Sequence, residues 1–310
     1  MNLEQPRKEN SYLKPSFKKI PLIFFGHDRL SRLVLFTLLD NPSVLIAAVI
    51  SLPDKPQGRQ KRIIPNPIKI ICRQKKIPYF LLDDFTALKN RLAPFPRIGL
   101  LASFGAKIPL EIINSFSKGI LVIHPSILPF YRGISPVPSA ILEGEKKTGV
   151  TVFKMDEKWD HGPIISQRQT PIKPTDTSRI LLEKLFLLGA EIFIEALPGY
   201  LSGETKPQKQ NHLRATYTRR FGRKDGEINW NIPPEKIDRQ IRAFNPWPES
   251  YTFVKLKTKK RLKILKAHLE KGKLVLDLVQ LEGKKAVSWK QFLTGHPNAE
   301  IVQCPSTLNR

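Results

Sequence analysis

The chain has 310 residues, 41% of them hydrophobic, so it is long enough for one large and one small domain and apolar enough to pack a core. Its 52 Lys and Arg against 27 Asp and Glu give a formal charge of +25, which points to acidic polymers such as RNA, DNA or anionic lipid, a basic proteome in which most proteins carry surplus Lys being the bland alternative. Only two cysteines occur, Cys72 and Cys304, far apart and outside metal-ligand spacing; this argues against a disulfide scaffold or zinc site and fits a reducing compartment.

Met1 to Lys19 is polar, contains Glu4 and Glu9, and lacks an apolar stretch, so it reads as a mobile arm (residues 1–18) and not as a secretory signal. Pro21 to Phe25 is a short apolar run ending at Gly26, and Leu30 to Leu39 has helical spacing. A second run, Val44 to Ile50, leads into a basic loop and a helix expected over Pro67 to Lys76. Ile98 to Ser103 and Gly119 to Ile123 read as further buried strands, with a helix from Pro109 to Phe116 between them. Apolar strands alternating with helices predict an α/β fold with a parallel, Rossmann-like sheet, whose ligands sit at the carboxyl ends of strands. That rule singles out the loops after Phe25, Ser103 and Ile123. Gly26-His27-Asp28 lacks the repeated glycines of a dinucleotide site, so an NAD-type reading is set aside.

A helix near Thr177 to Leu201 is the most apolar long stretch, but Glu183, Lys184, Glu191 and Glu195 interrupt it, so it reads as a packed helix and not a membrane span. The catalytic unit is taken as 19–201, followed by a polar linker at 202–211. Tyr251 to Lys257, Leu262 to Ala267 and Lys273 to Val279 then alternate as strands, predicting a small C-terminal β-barrel (OB-like) domain over 212–302 and a tail at 303–310. From Asn211 onward, 21 Lys and Arg face 9 acids, a net of +12, so charge is densest in this second unit.

The unusual residues cluster between Leu121 and Gln167. His124 follows a buried strand, and Pro125, Pro129 and Gly133 shape the loop after it. A strand-end histidine can donate or accept a proton during acyl transfer; alone, it is as readily a structural histidine bonded to backbone. Asp156, Glu157 and Asp160 crowd the loop between two strand-like segments, where Gly162 and Pro163 turn the chain. Any of the three could orient the imidazole, and residue type alone does not choose among them.

These residues resemble the folate-dependent formyltransferase family. Its core pattern is Asn-x-His, a Ser-Leu-Leu-Pro-like turn, then a distant Asp-x-Gly; here stand Val122-Ile123-His124, Ser126-Ile127-Leu128-Pro129 and Asp160-His161-Gly162. The resemblance implies His124 as catalytic histidine, Asp160 as its partner, and Ser126, Ile127, Leu128 and Pro129 lining the reduced-folate site with the backbone of the Asp156 to Asp160 loop. Three further stretches are similar to the tRNA-acting branch: Leu52 to Arg62 (LPDKPQGRQKR), Ile241 to Ser250 (IRAFNPWPES) and Leu281 to Pro297. The first is the family's basic loop, in which Lys55, Arg59, Lys61 and Arg62 would contact phosphates near a single-stranded acceptor end. Trp247 of NPWP reads as a packing anchor between domains and not a base-stacking platform.

The likeness spans Lys19 to Pro297. It implies a cytoplasmic monomer, with the mitochondrial matrix as the other compartment left open, acting without a metal. The activity it implies is formyl transfer from 10-formyltetrahydrofolate, as co-substrate, to the α-amino group of methionyl-initiator tRNA. One position departs from the pattern: Val122 stands where the family has an oxyanion-stabilising asparagine. Removing one such donor typically costs ~10²–10³ in rate. Two other readings therefore stay open on sequence: a formyltransferase for another amine, such as a nucleotide-linked sugar or a purine precursor, and a basic RNA-binding homologue with impaired catalysis.

Overall fold

The computed structural model describes residues 19–54, 56–57, 62–63, 66–82, 88 and 90–302. The arm at 1–18 and the tail at 303–310 lie outside them. Strand β1 (Ile20–Phe25) sends Leu22 and Phe24 to one face and Ile23 and Phe25 to the other, the period-two alternation of a strand buried on both sides. Helix α1 (Arg29–Asp40) starts at Asp28, whose side chain accepts the Leu30 and Ser31 N–H groups while Ser31 closes a capping box. Such a cap is worth about 1 kcal/mol. Ser31, Val34, Leu35 and Leu38 form the buried stripe of α1.

The sheet continues with β2 (Val44–Ser51), after which β3 (Pro56–Gln57) and β4 (Arg62–Ile63) form a separate two-residue ladder. Helix α2 (Pro67–Lys75) ends at Lys76, which adopts a left-handed backbone, and is followed by β5 (Tyr79–Leu81) and β6 (Gly99–Ala102). Then come α3 (Leu110–Ser115), β7 (Ile120–His124), α4 (Pro136–Glu143), β8 (Lys147–Lys154), β9 (Ile164–Pro171) and α5 (Ser178–Ser202). The seven-stranded order is β5-β2-β1-β6-β7-β8-β9. Neighbours from β5 to β7 pair in parallel, whereas β7–β8 and β8–β9 pair antiparallel. The expected sheet is thus parallel in its first five strands only. The loop of nine residues between β8 and β9 is too short for a crossover, so those strands form a hairpin.

Helices α1, α2, α4 and α5 cover one face, and α3 with Leu88 and Leu92 covers the other. Among the described residues, no helix is long and apolar enough to cross a membrane.

The second unit is an antiparallel sheet of β10 (Ser250–Lys255), β11 (Lys259–Glu270) and β12 (Lys273–Leu281), edged by β13 (Val287–Ser288) and β14 (Glu300–Ile301). Among the described residues the sheet runs from β13 at one edge to β14 at the other, forming a half-barrel. Its core takes in Ile237 and Ile241 of α6 (Pro234–Ala243) and Phe292 of α7 (Trp289–Gly295). Lys259, Lys260, Arg261 and Lys266 stand exposed along β11, while Leu262, Ile264 and Ala267 point inward.

Polar contacts join the two units. The Ser178 hydroxyl donates to the Ala243 carbonyl at 2.6 Å, and Arg242 donates to the Asp176 carbonyl at 3.1 Å. Phe244 belongs to the first unit's core and packs on Phe221 with ring centroids 5.1 Å apart. Trp247, expected as the anchor, is 56% exposed. Phe244 follows the last residue of α6 and is carried inward by that helix, whereas Trp247 lies beyond the helix on the Pro246–Pro248 turn.

Candidate active site at the end of β7

Strand β7 runs buried through the middle of the sheet and ends at His124. Leu121 and Ile123 face the core under α5, so Val122 and His124 share the opposite face. His124 is only 5% exposed. Its Nε2 lies 3.1 Å from the Tyr131 carbonyl oxygen, and its Nδ1 lies 3.6 Å from Asp160 Oδ1. Both ring nitrogens therefore face oxygen atoms, the Tyr131 carbonyl at hydrogen-bonding distance and the Asp160 carboxylate slightly beyond it.

Of the three candidate acids, Asp160 is the one that faces His124. Asp156 instead pairs with His161, Oδ2 to Nδ1 at 2.7 Å, and Glu157 is exposed. Asp160 has a left-handed backbone (φ 49°), and its Oδ2 accepts the Gly133 N–H at 2.7 Å. The Asp-x-Gly spacing has a steric basis two residues on. A β-carbon at Gly162 would overlap the Lys154 carbonyl oxygen, so only glycine lets the hairpin loop close onto β8.

A narrow cleft of about 100 Å³ opens beside Asp160, walled by Phe104, Ile108, Val122, Met155 and Trp159 among others. The loop after β6, one of the three singled out at strand ends, supplies one side of it, and the Asp156 to Asp160 loop supplies the other. Val122 is 6% exposed and contributes only methyl groups. A second, larger cavity of about 860 Å³ lies between α4, the start of β8 and the segment Thr216–Phe221, and includes neither His124 nor Asp160.

The Ser126 to Pro129 turn is spent on internal hydrogen bonds. The Ser126 hydroxyl donates to the Phe130 carbonyl at 2.6 Å, Leu128 N–H donates to Thr151 Oγ1 at 3.1 Å, and Gln167 donates to the Leu128 carbonyl at 2.8 Å. Ser126 and Leu128 are buried, and Ile127 lines the larger cavity. None of the four lines the cleft beside Asp160; they set the path of the chain from His124 to Tyr131.

Of the basic-loop residues, Lys55, Arg59 and Lys61 lie outside the described residues. Arg62 is in β4, its backbone paired with Gln57. The loop leaves the carboxyl end of β2, the same sheet edge as His124, and Asp54 fixes its base: Oδ1 accepts Asn66 N–H at 2.9 Å and Oδ2 meets Lys69 Nζ at 3.1 Å. The Asn66 N–H holds the Asp54 carboxyl below its ordinary range, with Lys69 adding to that. Among the described residues, no group of three or more His, Cys, Asp or Glu side chains is placed to hold a metal ion.

Sequence reasoning missed Arg132 and Gln210. Arg132 is completely buried, and Gln210 belongs to the stretch read as a polar linker. Arg132 donates to Gln210 Oε1 from Nε (3.2 Å) and a terminal nitrogen (2.6 Å), and Gln210 Nε2 donates to the carbonyls of Asp160 (3.0 Å) and Gly162 (2.7 Å).

A mostly parallel α/β sheet with a histidine–carboxylate pair at a strand end, followed by a basic half-barrel, defines a two-unit enzyme fold of the Rossmann-like class. Comparison with known proteins narrows this. The Formyl transferase family matches residues 18–197, and its C-terminal domain, "Formyl transferase, C-terminal domain", matches residues 220–274. The chain belongs to the formyl transferase family.

Among its curated relatives, the methionyl-tRNA formyltransferase of Chloroflexus aurantiacus (strain ATCC 29366 / DSM 635 / J-10-fl) is 39% identical over 67% of this chain and 68% of its own length. That of Streptococcus pyogenes serotype M28 (strain MGAS6180) is 34% identical over 86% of each. Two solved structures share the fold. Methionyl-tRNA formyltransferase from Clostridium thermocellum has a TM-score of 0.55 at 23% identity, covering 84% of this chain and 97% of that one. The sugar 3N-formyl transferase WlaRD, solved with dTDP and 5-N-formyl-THF, has a TM-score of 0.60 at 21% identity, covering 87% and 97%.

Proposed function

We propose that this chain transfers the formyl group of 10-formyltetrahydrofolate to the α-amino group of methionyl-initiator tRNA. The observation that carries the reading is the placement of His124 and Asp160, 3.6 Å apart at the end of β7, in a member of this family. The acceptor follows from the relatives, which bear that activity in their names, and from the chain's excess of 25 positive charges, part of it on the exposed lysines of β11. The basic loop, with Lys55, Arg59, Lys61 and Arg62, and the half-barrel at 212–302 would hold the tRNA backbone on either side of the sheet edge.

The formyl donor is a substrate here, and the cleft beside Asp160 suits its ring system. The cleft walls are mostly apolar, and Lys107, Asp156, Glu157, Lys158 and Asp160 add charged groups to them. At about 100 Å³ it is smaller than the roughly 300–1,000 Å³ of ordinary ligand pockets, so donor entry displaces the loop that carries exposed Trp159. Ser126 to Pro129 would then shape the site from behind and not touch the ring.

In the transfer, the amine nitrogen bonds to the formyl carbon and the bond from that carbon to folate N10 breaks. One proton leaves the amine and one arrives on N10, so tetrahydrofolate and formyl-methionyl-tRNA are the products. His124 Nδ1–H is the donor available to the developing oxyanion. Its 3.6 Å distance from Asp160 leaves it loosely held, and its face of β7 looks toward the cleft. Asp160 lies beside that nitrogen and biases the orientation of the ring. Much of the rate comes from holding the amine against the formyl carbon.

The test offers 10-formyltetrahydrofolate with methionyl-initiator tRNA, methionyl-elongator tRNA and an amino-sugar nucleotide in parallel. Formyl-methionine on initiator tRNA alone is expected. Formylation of the sugar, or of no acceptor, would overturn the reading.

A further inference from the structure

The segment between the two units reads as a polar tether, yet Gln210 within it is 5% exposed and uses its whole hydrogen-bonding capacity. Its two N–H groups go to the Asp160 carbonyl (3.0 Å) and the Gly162 carbonyl (2.7 Å). Its oxygen takes two bonds from Arg132, at 3.2 Å and 2.6 Å.

Each end leads to the proposed catalytic pair. Arg132 sits between Tyr131, whose carbonyl faces His124 Nε2, and Gly133, whose N–H holds the Asp160 carboxylate. Asp160 is the left-handed residue that aims that carboxylate, and Gly162 closes its loop two residues on.

Arg132 makes the choice of an amide instructive. It is 1% exposed, and its acceptors are all neutral: Gln210, the Tyr217 hydroxyl at 3.1 Å and His212 Nδ1 at 2.9 Å. A carboxylate at 210 would compensate the buried guanidinium better. It would also turn a negative charge onto two carbonyls and sit near Asp160. Only a group that donates on one side and accepts on the other satisfies both.

We propose that Gln210 is a positioning residue for formyl transfer: through Arg132 and the Asp160–Gly162 turn it locks the loop that holds His124 to the loop that carries Asp160. The assignment rests on the catalytic reading of His124 and Asp160 above.

The test uses the full chain with Gln210→Ala and Gln210→Glu, each alone and on an Asp160→Asn background. It measures kcat, KM for both substrates, thermal stability and hydrogen exchange of the Gly133 amide. Gln210→Glu keeps the acceptor that Arg132 needs and loses both donors. In both single variants kcat should fall on the order of 10- to 100-fold with KM nearly constant, the scale of a misplaced catalytic group. On the Asp160→Asn background the Gln210 effect should shrink to about twofold, since residues acting as a unit are non-additive. Exchange of the Gly133 amide should rise at least about tenfold while core amides are unchanged.

Wild-type Gly133 protection in both variants would overturn the clamp, as would an undiminished kcat loss on the Asp160→Asn background. So would a kcat loss in Gln210→Ala that Gln210→Glu restores together with stability. If Gly133 exchange rises as expected while Asp160→Asn leaves kcat unchanged, the clamp stands and the catalytic reading of Asp160 is what fails.

Discussion

Val122→Asn probes the chemistry most sharply, because it installs at the cleft the side chain that the family pattern places there. Val122 shares the cleft face of β7 with His124 and stands opposite Phe153 in the ladder with β8. An asparagine amide there reaches into the space where the oxyanion forms. One such donor is worth ~10²–10³ in rate, about 3–4 kcal/mol. Stability should move the other way. Losing two buried methyls costs about 1.5 kcal/mol. An amide among Leu101, Phe104 and Phe153 with no partner in the empty cleft costs roughly 1–3 kcal/mol more. The variant should therefore formylate tRNA up to ~10²–10³-fold faster in single-turnover assays. It should melt several degrees lower than wild type, and saturating donor should recover part of that loss. A folded Val122→Asn protein with a wild-type single-turnover rate would refute the reasoning, because the oxyanion would then be stabilised away from this face of β7.

Trp159, 58% exposed on the cleft loop, should report donor entry: adding 10-formyltetrahydrofolate or an unreactive analogue should change tryptophan fluorescence saturably, and Trp159→Phe should abolish that change while the analogue still binds by calorimetry. A signal that survives Trp159→Phe would place donor entry elsewhere. Acidification should loosen the segment between the units. Desolvation, then the neighbouring His161 and Arg132, lowers the His212 imidazole below its ordinary 6.5, in keeping with its acceptance of a bond from Arg132 and its stacking on His161 at 3.9 Å. A group with a lowered folded value and a higher unfolded one contributes its full stability above pH 6.5 and loses it as pH falls below 6.5 through the folded value. Between about pH 7.5 and 5.5 the wild type should thus lose more thermal stability than His212→Ala. Parallel melting curves would contradict this.

The strands that position the site were legible because both their faces are buried. Runs such as IPLIFF and ILVIH carry no ambiguity of face, and their ends fall within a residue or two of the apolar limits. Strand direction was not legible: β8 has the same period and composition whether it pairs parallel or antiparallel, and only the short loop to β9 decides. Helix α4 escaped notice because its eight residues include two prolines and too few turns for a periodic stripe. At the site, the pairing of His124 with Asp160 followed from the family resemblance, since residue type alone left Asp156 and Glu157 as equals. The structure separates them by geometry, Asp156 being engaged by His161.

Polar residues that bury themselves were the least legible. Gln210 read as part of a linker and Arg132 drew no reading because composition equates polarity with exposure, and their burial depends on partners 78 positions apart. The converse holds for Trp247, whose large apolar ring suggested an anchor that Phe244 supplies instead.

His124 is proposed as the group that serves the reacting formyl carbon while taking no part in holding tRNA. The most direct measurement of that role is formylation rate and tRNA affinity side by side for His124→Ala. The rate should fall by at least ~10²-fold, the range for one acid–base or oxyanion group, with the dissociation constant for methionyl-initiator tRNA changed less than about twofold. Equal loss of both, or a variant that formylates at the wild-type rate, would contradict it.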